Sequence, residues 1–387
     1  MNDRQRALRL LRRIERESLY ASVVLQNESG FVRTLVLGVL RWRSRLDFVI
    51  SSLASRRIEP EIVDVLRLGM YQLLYMDVAQ HAAVSESVEL APRRARGFVN
   101  AILRRAAAGQ MPQPDDLATR AAHPPWLIDR WIRTYGADRA AAIADANQQL
   151  SFPDVLSLTG DAPPEAVASQ LVPGIWKLHG SSAALDRAAF WPMDEGSAAV
   201  AAITASAGGE VLDLAAAPGG KSIFIAHRGE RVVSNDVSIT RLLPLVARGQ
   251  SPVTVSDGRR PPFARQFRTV LLDAPCSATG TIRKNPEIKW RLKESDLAAF
   301  AALQVDLLAS ALELAAESCV YSTCSLEREE NDEVVSSVLA SNGHFEIADI
   351  SPFAPAGVAP WIDDGILRLT PDSGADGFTA FVLRRTP

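Results

Sequence analysis

In the second half of the chain, short apolar runs alternate with helix-like stretches, and four of these runs stop at or beside an aspartate. Run 210–214 holds Asp213, and run 231–234 leads into Asn235 and Asp236. Run 253–255 leads into Ser256 and Asp257, and run 268–272 into Asp273. A fifth, 319–321, leads into Thr323 and Cys324, and runs 345–348 and 378–383 follow. Strands separated by helices predict an α/β fold on a mostly parallel, doubly wound sheet. Ligands of such sheets bind beyond the C-terminal strand ends. The four aspartates, Cys276 and Cys324 therefore mark the rim where chemistry is expected. Asp296 stands where it would cap a long apolar helix reaching Leu314, and 327–339 reads as an acidic helix following Cys324.

Residues 1–107 carry no strand signal. Ile62, Val65, Leu66, Met70, Leu73 and Leu74 recur at helical spacing behind Pro60, a residue suited to a helix start. Similar stripes run through 7–11, 31–39 and 98–103, so an all-α bundle is expected. Segment 106–116, rich in Gly, Pro and Asp, reads as a linker. Helix returns over 124–146, and 151–179 mixes strand-like pieces with turns. The expected organisation is a helical domain over 1–110, a linker with a small α+β domain over 111–190, and a catalytic domain over 191–387.

Net charge is −3, but it is unevenly spread. Residues 1–110 hold 18 arginines, no lysine and 11 acidic residues, a net +7; the rest carries −10. A basic first third suggests a polyanionic partner. Arginine's planar fork suits phosphate, although a 37 to 5 excess over lysine also follows from base composition alone. Three cysteines are too few for a disulfide framework and too irregularly spaced for a zinc site. The charged N-terminus lacks a signal-peptide core, and no run of about 18 apolar residues argues for a membrane span. A cytoplasmic protein with free thiols is expected, without a metal and away from membranes. His81, His123, His179, His227 and His344 are scattered off the strand-end loops, which weighs against a histidine-based hydrolase or metal centre.

The first strand-end loop runs from Asp213 through Gly219 and Gly220 to Lys221. It fits neither the Walker phosphate loop nor the GxGxxG fingerprint. Alone it is a plain strand-to-helix turn; with Asp236 about 20 residues on, it points to a nucleoside-containing cofactor. Cys319 reads as inert core. Cys276 and Cys324, taken singly, are small buried hydrophobes; as a pair on neighbouring loops beside Asp273 they suit nucleophilic chemistry. An unperturbed thiol, pKa ~8.5, is only slightly ionised at neutral pH. A helix start after Cys324, or Lys221, Arg283 or Lys284 as cationic neighbours, would raise the thiolate share.

These residues resemble the Sun/RsmB-type RNA cytosine-C5 methyltransferases, which use S-adenosylmethionine. The likeness runs along DLAAAPGGKS (213–222), DGR (257–259), DAPCSATGTIRKNPEIKW (273–290), YSTCSLEREEN (321–331) and DGFTAFVL (376–383). LVLGVLRWRSRLD (35–47), LRLGMYQLLY (66–75) and GFVNAILRR (97–105) look like a NusB-like RNA-binding domain, with HPPWLIDRW (123–131) beyond the linker. The resemblance implies an all-α NusB-like bundle joined to a Rossmann-like methyltransferase domain. It implies a Cys324 nucleophile that attacks C6 of cytosine, and a Cys276 that helps release the product. Asp273 would bond the N3/N4 edge of the base, with Lys221 assisting electrostatically. For S-adenosylmethionine it implies the backbone of Ala215, Ala216, Ala217, Pro218, Gly219 and Gly220 at the methionine end. Asp236 would hold the ribose and Asp257 the adenine amino group, with Lys221, Arg241, Gly258 and Asp273 among the cofactor contacts. The implied partner is 16S ribosomal RNA, met by a monomer at an unstacked cytosine.

Asn285 stands where the family pattern has histidine, Ser222 replaces Thr, Met193 lies where Gln is common, and 151–160 lacks an Arg–Asn pair. Two alternatives stay open: the same chemistry on transfer RNA, or a non-catalytic RNA-binding assembly factor. Four intact rim residues, Asp213, Asp273, Cys276 and Cys324, speak against the second.

Overall fold

Asn2 opens the first helix with a reciprocal cap: its side chain accepts from Gln5 N (2.8 Å) and the Gln5 side chain accepts from Asn2 N (3.1 Å). The computed structural model describes residues 1–180, 182–249 and 252–386. The chain forms two compact units, one of Met1–Gln149 with Ile282–Glu294, the other of Leu150–Thr281 with the residues from Ser295 on. The expected 111–190 connecting region is thus divided, its helices with the first unit and its strands with the second.

The first unit is all helix: α1 (Asp3–Glu17), α2 (Ala21–Val24), α3 (Gly30–Leu53), α4 (Pro60–Tyr75), α5 (Gln80–Leu90), α6 (Arg96–Ala107), α7 (Leu117–Arg120), α8 (Pro125–Tyr135) and α9 (Ala137–Ala146). Ala7, Leu11 and Ile14 of α1 share one core with Leu35 and Val39 of α3 and with Val65, Leu66 and Met70 of α4. Gly38 permits the close α3–α4 approach, since a Cβ there would fall 1.8 Å from the Tyr71 ring. Helix 124–146 is broken at Gly136, whose φ of +81° no other residue adopts cheaply.

Segment 282–294, expected in the catalytic domain, is held in this unit by buried polar side chains on backbone carbonyls. Lys289 Nζ donates to Arg41 O (2.7 Å) and Ala122 O (2.8 Å), and Trp290 Nε1 to Leu40 O (2.6 Å). Arg41 returns a bond to Arg283 O (2.8 Å), and Glu287 accepts from Ala21 N (2.9 Å). Burial pushes the Lys289 ammonium well below its ordinary range. Arg283 and Lys284 belong to this segment.

The second unit begins with a small antiparallel sheet of β1 (Asp154–Ser157), β2 (Val167–Ala168), β3 (Ile175–Lys177) and β4 (Phe190–Pro192), ordered β2-β3-β1-β4. Next come α10 (Glu195–Ala207), β5 (Glu210–Asp213), α11 (Gly220–His227), β6 (Arg231–Asp236), α12 (Ile239–Ala247), β7 (Val253–Val255) and β8 (Phe267–Asp273). After α13 (Ile288–Arg291), which lies in the segment just described, follow α14 (Leu297–Leu314), β9 (Ala315–Thr323), α15 (Asp332–Ala340), β10 (Phe345–Ala348), β11 (Ile362–Asp363), β12 (Ile366–Leu369) and β13 (Phe378–Arg385). The large sheet runs β11-β12-β13-β9-β8-β5-β6-β7, with β10 on β13. It is parallel from β9 through β7, and antiparallel wherever β10 to β13 join. The sheet is therefore mixed rather than mostly parallel, because the last strands are joined without helical crossovers.

Its parallel strands are buried on both faces, as Val211, Leu212, Val270, Leu271, Val320 and Tyr321 show. Helix Glu294–Leu314 is long and apolar enough to cross a membrane by length and composition; Leu307, Leu308, Ala311 and Leu312 are buried in the core of this unit. Asp296 does precede α14 but makes no side-chain cap. The expected acidic helix is two pieces, a 3₁₀ turn at Arg328–Glu330 and then α15, which begins only at Asp332.

His123 is fully buried in the first unit, with Nδ1 on Ala121 O (2.7 Å), Nε2 facing Asn147 Nδ2 (3.3 Å) and its ring edge-on to Trp131. Burial, reinforced by the nearby Lys289, holds it well below the usual imidazole range. Below about pH 6.5 the unfolded chain binds a proton that the folded imidazole does not, so stability is complete above that pH and falls as acid is added. Thermal unfolding should show this unit losing stability progressively as pH falls from about 6.5 to about 5. A His123→Gln variant should show a flatter dependence; an equal slope in both would contradict the assignment.

Candidate active site

The loop after β5 is shaped by its own backbone. Ala216 N donates to Asn235 O (2.8 Å) and Ala217 N to Asp236 Oδ2 (3.0 Å), tying it to the end of β6. Gly219 has φ +109°, and a Cβ there would lie 2.8 Å from Leu245, so both conformation and space require glycine. Loop residues 215–218 and Gly220 face a cavity of about 190 Å³ that is also lined by Asp213, Lys221, Asp273, Asp194 and Ser197. Asp213 is 1% exposed; Ser222 Oγ donates to its Oδ2 (2.6 Å), while its buried Oδ1 has no partner. Burial pushes Asp213 up to about 7. Ser222 thus makes the bond a threonine hydroxyl would make.

The other cofactor candidates are placed unevenly. Asp236 ends β6, and beyond Ala217 it accepts from Ser238 N through Oδ1 (2.9 Å), so both its oxygens already brace backbone. Arg241 Nη2 reaches Ala217 O at 3.2 Å. Asp257 lies just past β7 and is gripped by Arg259 at 2.6–3.1 Å, which holds its carboxyl down to about 2. It lines a separate cavity of about 550 Å³ with Arg259, Asp306 and Ser310. Gly258 packs tightly, its hypothetical Cβ 3.0 Å from Leu307.

Asp273 ends β8 and pairs in register with Ser322 of β9. Lys221 Nζ sits 2.5 Å from Asp273 Oδ2 and 2.8 Å from Ser197 Oγ, and Ser322 Oγ donates to Asp273 Oδ1 (2.9 Å). Lys221 is therefore engaged with Asp273. A few residues on, the Sγ atoms of Cys276 and Cys324 lie 3.3 Å apart, both half-buried. The hydrogen bond to Cys324 and burial push the Cys276 thiol up, with the Glu330 charge adding to this. Either sulfur can be the donor in this contact. Cys319 is fully buried in β9 and raised by desolvation, as inert core should be.

Glu330 fixes that sulfur pair. Its wholly buried carboxylate accepts from Ser277 N (2.8 Å), Ser277 Oγ, Ser325 Oγ (2.6 Å) and Gln304 Nε2 (3.0 Å). Both cysteine loops are thereby bound to one side chain. Asn331 adds bonds to Ser325 O (3.0 Å) and Glu327 O (2.8 Å), and Gly280 N donates to Cys324 O (2.9 Å). Sequence reasoning quoted Glu330 and Asn331 in a motif and gave them no role, since an acidic run reads as a solvated helix face. Asp213 was visible as a strand end but not as a buried carboxyl with one unpartnered oxygen.

A helical unit, together with a second unit whose mixed sheet carries a glycine-cradled cavity at its parallel strand ends, defines a Rossmann-like methyltransferase architecture. Residues 200–384 match the model of the 16S rRNA methyltransferase RsmB/F family, and residues 1–108 that of the NusB family. The ribosomal RNA small subunit methyltransferase B of Thermus thermophilus is 32% identical over 93% of this chain and 89% of that protein. The probable enzyme of the same description from Bacillus subtilis is 29% identical over 98% of each. Among solved structures, PH0851 superposes with a TM-score of 0.76 at 23% identity over 99% of both chains, a likeness of fold. The chain belongs to the RsmB/F family of S-adenosylmethionine-dependent methyltransferases. The cavity suits that cofactor: the unpartnered Asp213 oxygen can accept from an ammonium group, and the glycine loop leaves backbone within reach.

Replacing Glu330 with Ala strips the buried Ser277 N–H of its acceptor, so thermal unfolding should report a loss of roughly 2–3 kcal/mol. Glu330→Gln, which keeps an acceptor oxygen, should lose less; a melting temperature unchanged in the Ala variant would contradict this role.

Proposed function

We propose that this protein methylates C5 of a cytosine in 16S ribosomal RNA through a transient bond between Cys324 and C6 of the base. The observation that carries the reading is the 3.3 Å contact between Cys276 and Cys324 at the ends of β8 and β9, next to the Lys221–Asp273 pair. Family membership supports the RNA substrate, and the relatives' description as small-subunit methyltransferases favours ribosomal over transfer RNA.

C5 of cytosine is a weak nucleophile. As Sγ of Cys324 bonds to C6, the C5=C6 electron pair moves toward N3, and C5 gains enamine character. Asp273 would hold the N3/N4 edge as that charge arrives, with Lys221 at 2.5 Å keeping its carboxylate oriented. Asp213, Asp236, Arg241 and the loop 215–220 would hold S-adenosylmethionine, which supplies an electrophilic methyl group; Asp257 and Gly258 would line its far end. Once C5 is methylated, its proton must leave so that the C5=C6 bond reforms and the Sγ–C6 bond breaks. Cys276, 3.3 Å from the Cys324 sulfur, would take this proton as a thiolate, having first released its own proton to solvent.

Transfer of labelled methyl groups to 16S ribosomal RNA tests this. Cys324→Ala should reduce incorporation by at least about a thousandfold, and Cys276→Ala should accumulate a protein–RNA band on denaturing gels. Full activity in the first variant, or no retained band in the second, would overturn the mechanism. Equal labelling of transfer RNA would reassign the substrate.

A further inference from the structure

The first unit has more arginine than its acids neutralise, and the excess is localised. Along α1 the guanidinium groups are mostly paired: Arg12 with Asp64 (3.1 Å), Arg13 with Glu17 (3.0 Å), Arg16 with Glu17 (2.6 Å) and Arg6 with Glu28. The turn after α3 and the outer side of α6 differ. Arg56, Arg57, Arg93, Arg96, Arg104 and Arg105 are all exposed, and among the described residues none has a carboxylate within ion-pair distance. The one nearby acidic pair, Glu59 and Glu61, is taken by Arg94 at 2.6 Å each.

Contacts of Arg56 and Arg105 join the turn after α3 to α6. The Arg56 guanidinium lies 5.0 Å from the Phe98 ring of α6, and Arg105 Nη1 of α6 donates to Leu53 O at the end of α3 (2.7 Å). Along α6, Arg96, Asn100 and Arg104 follow at four-residue intervals, about 6 Å apart along the axis, with Arg104 Nε on Asn100 Oδ1 (3.1 Å). Gly97 and Ala101 beside them are exposed, and nothing lies within 4 Å of where a Gly97 Cβ would be, so an extended chain can lie close to the helix.

From this we infer that the face formed by the α3–α4 turn and α6, and not the α1 arginine run, grips the phosphate backbone of single-stranded RNA. An unpaired exposed guanidinium can take a phosphate without breaking an ion pair, whereas Arg6, Arg12, Arg13 and Arg16 of α1 must first give up a carboxylate. A row of cations with small residues between them fits a regularly charged, extended polyanion. This surface deepens the ribosomal RNA reading above and rests on it for the identity of the strand.

The test uses the full chain and fluorescein-labelled poly(U), read by anisotropy across a salt series. Poly(U) contains no cytosine, so the result does not depend on the Cys324 chemistry and can succeed or fail apart from it. An Arg57→Gln, Arg93→Gln, Arg104→Gln triple variant replaces side chains that hold no backbone in place. It should weaken binding at least tenfold at 0.1 M salt and flatten the log–log salt slope by about 2, or ~0.7 per lost phosphate contact. An Arg13→Gln, Arg16→Gln variant on α1 should bind within about twofold of the parent. Parent-like binding and slope in the triple variant, or an equal loss in the α1 variant, would overturn the assignment. So would wild-type affinity for poly-glutamate matching that for poly(U), since it would assign the face to acidic protein instead.

Discussion

The contact between two sulfur atoms is the constraint on which the catalytic reading depends. Two thiols that are to act on one base must sit close together, yet on separate loops so that each can reach it. Adjacent parallel strands β8 and β9 supply the spacing, because their C-terminal ends emerge side by side. Glu330 supplies the rigidity by bonding Ser277 and Ser325, the residues directly after each cysteine. A buried carboxylate with this many donors is a high-stakes feature, stable only while fully satisfied.

The same strand-end logic gives the rest of the rim its division of labour. Asp213 is a buried acid with one unpartnered oxygen, raised to about 7. Asp257 is a half-buried acid gripped by Arg259 and depressed to about 2. Asp236 is occupied in holding the glycine loop to its neighbour strand, and Asp273 in holding Lys221. Four aspartates that look equivalent in sequence are four different chemical groups in the fold.

Much of this was legible beforehand for physical reasons. Strand ends are marked by aspartates because a carboxylate is tolerated there and disfavoured within an apolar strand, so the rim could be read directly. The helical first unit was plain from its 3.6-residue stripes. What could not be read was long-range. Nothing local says that Lys289 and Trp290 bury themselves on the carbonyls of Leu40, Arg41 and Ala122, since lysine in a loop ordinarily means solvent. The antiparallel strands β10 to β13 carry the same apolar signal as parallel ones, so the mixed sheet was invisible to pattern. Glu330 was hidden by its own charge. Asp296 met the composition rule for a cap and made no cap hydrogen bond, because its backbone is helical where a capping residue is extended.

The central claim is tested most directly by locating the covalent bond itself. RNA carrying 5-fluorocytidine at the target position has no C5 proton to lose, so a methylated adduct formed on it cannot resolve. Incubation of the wild-type protein with this RNA and S-adenosylmethionine, followed by proteolysis and mass spectrometry, should find the nucleotide on the peptide containing Cys324, with Cys276 unmodified. A nucleotide on Cys276, or no covalent product from RNA that is otherwise methylated, would contradict the account.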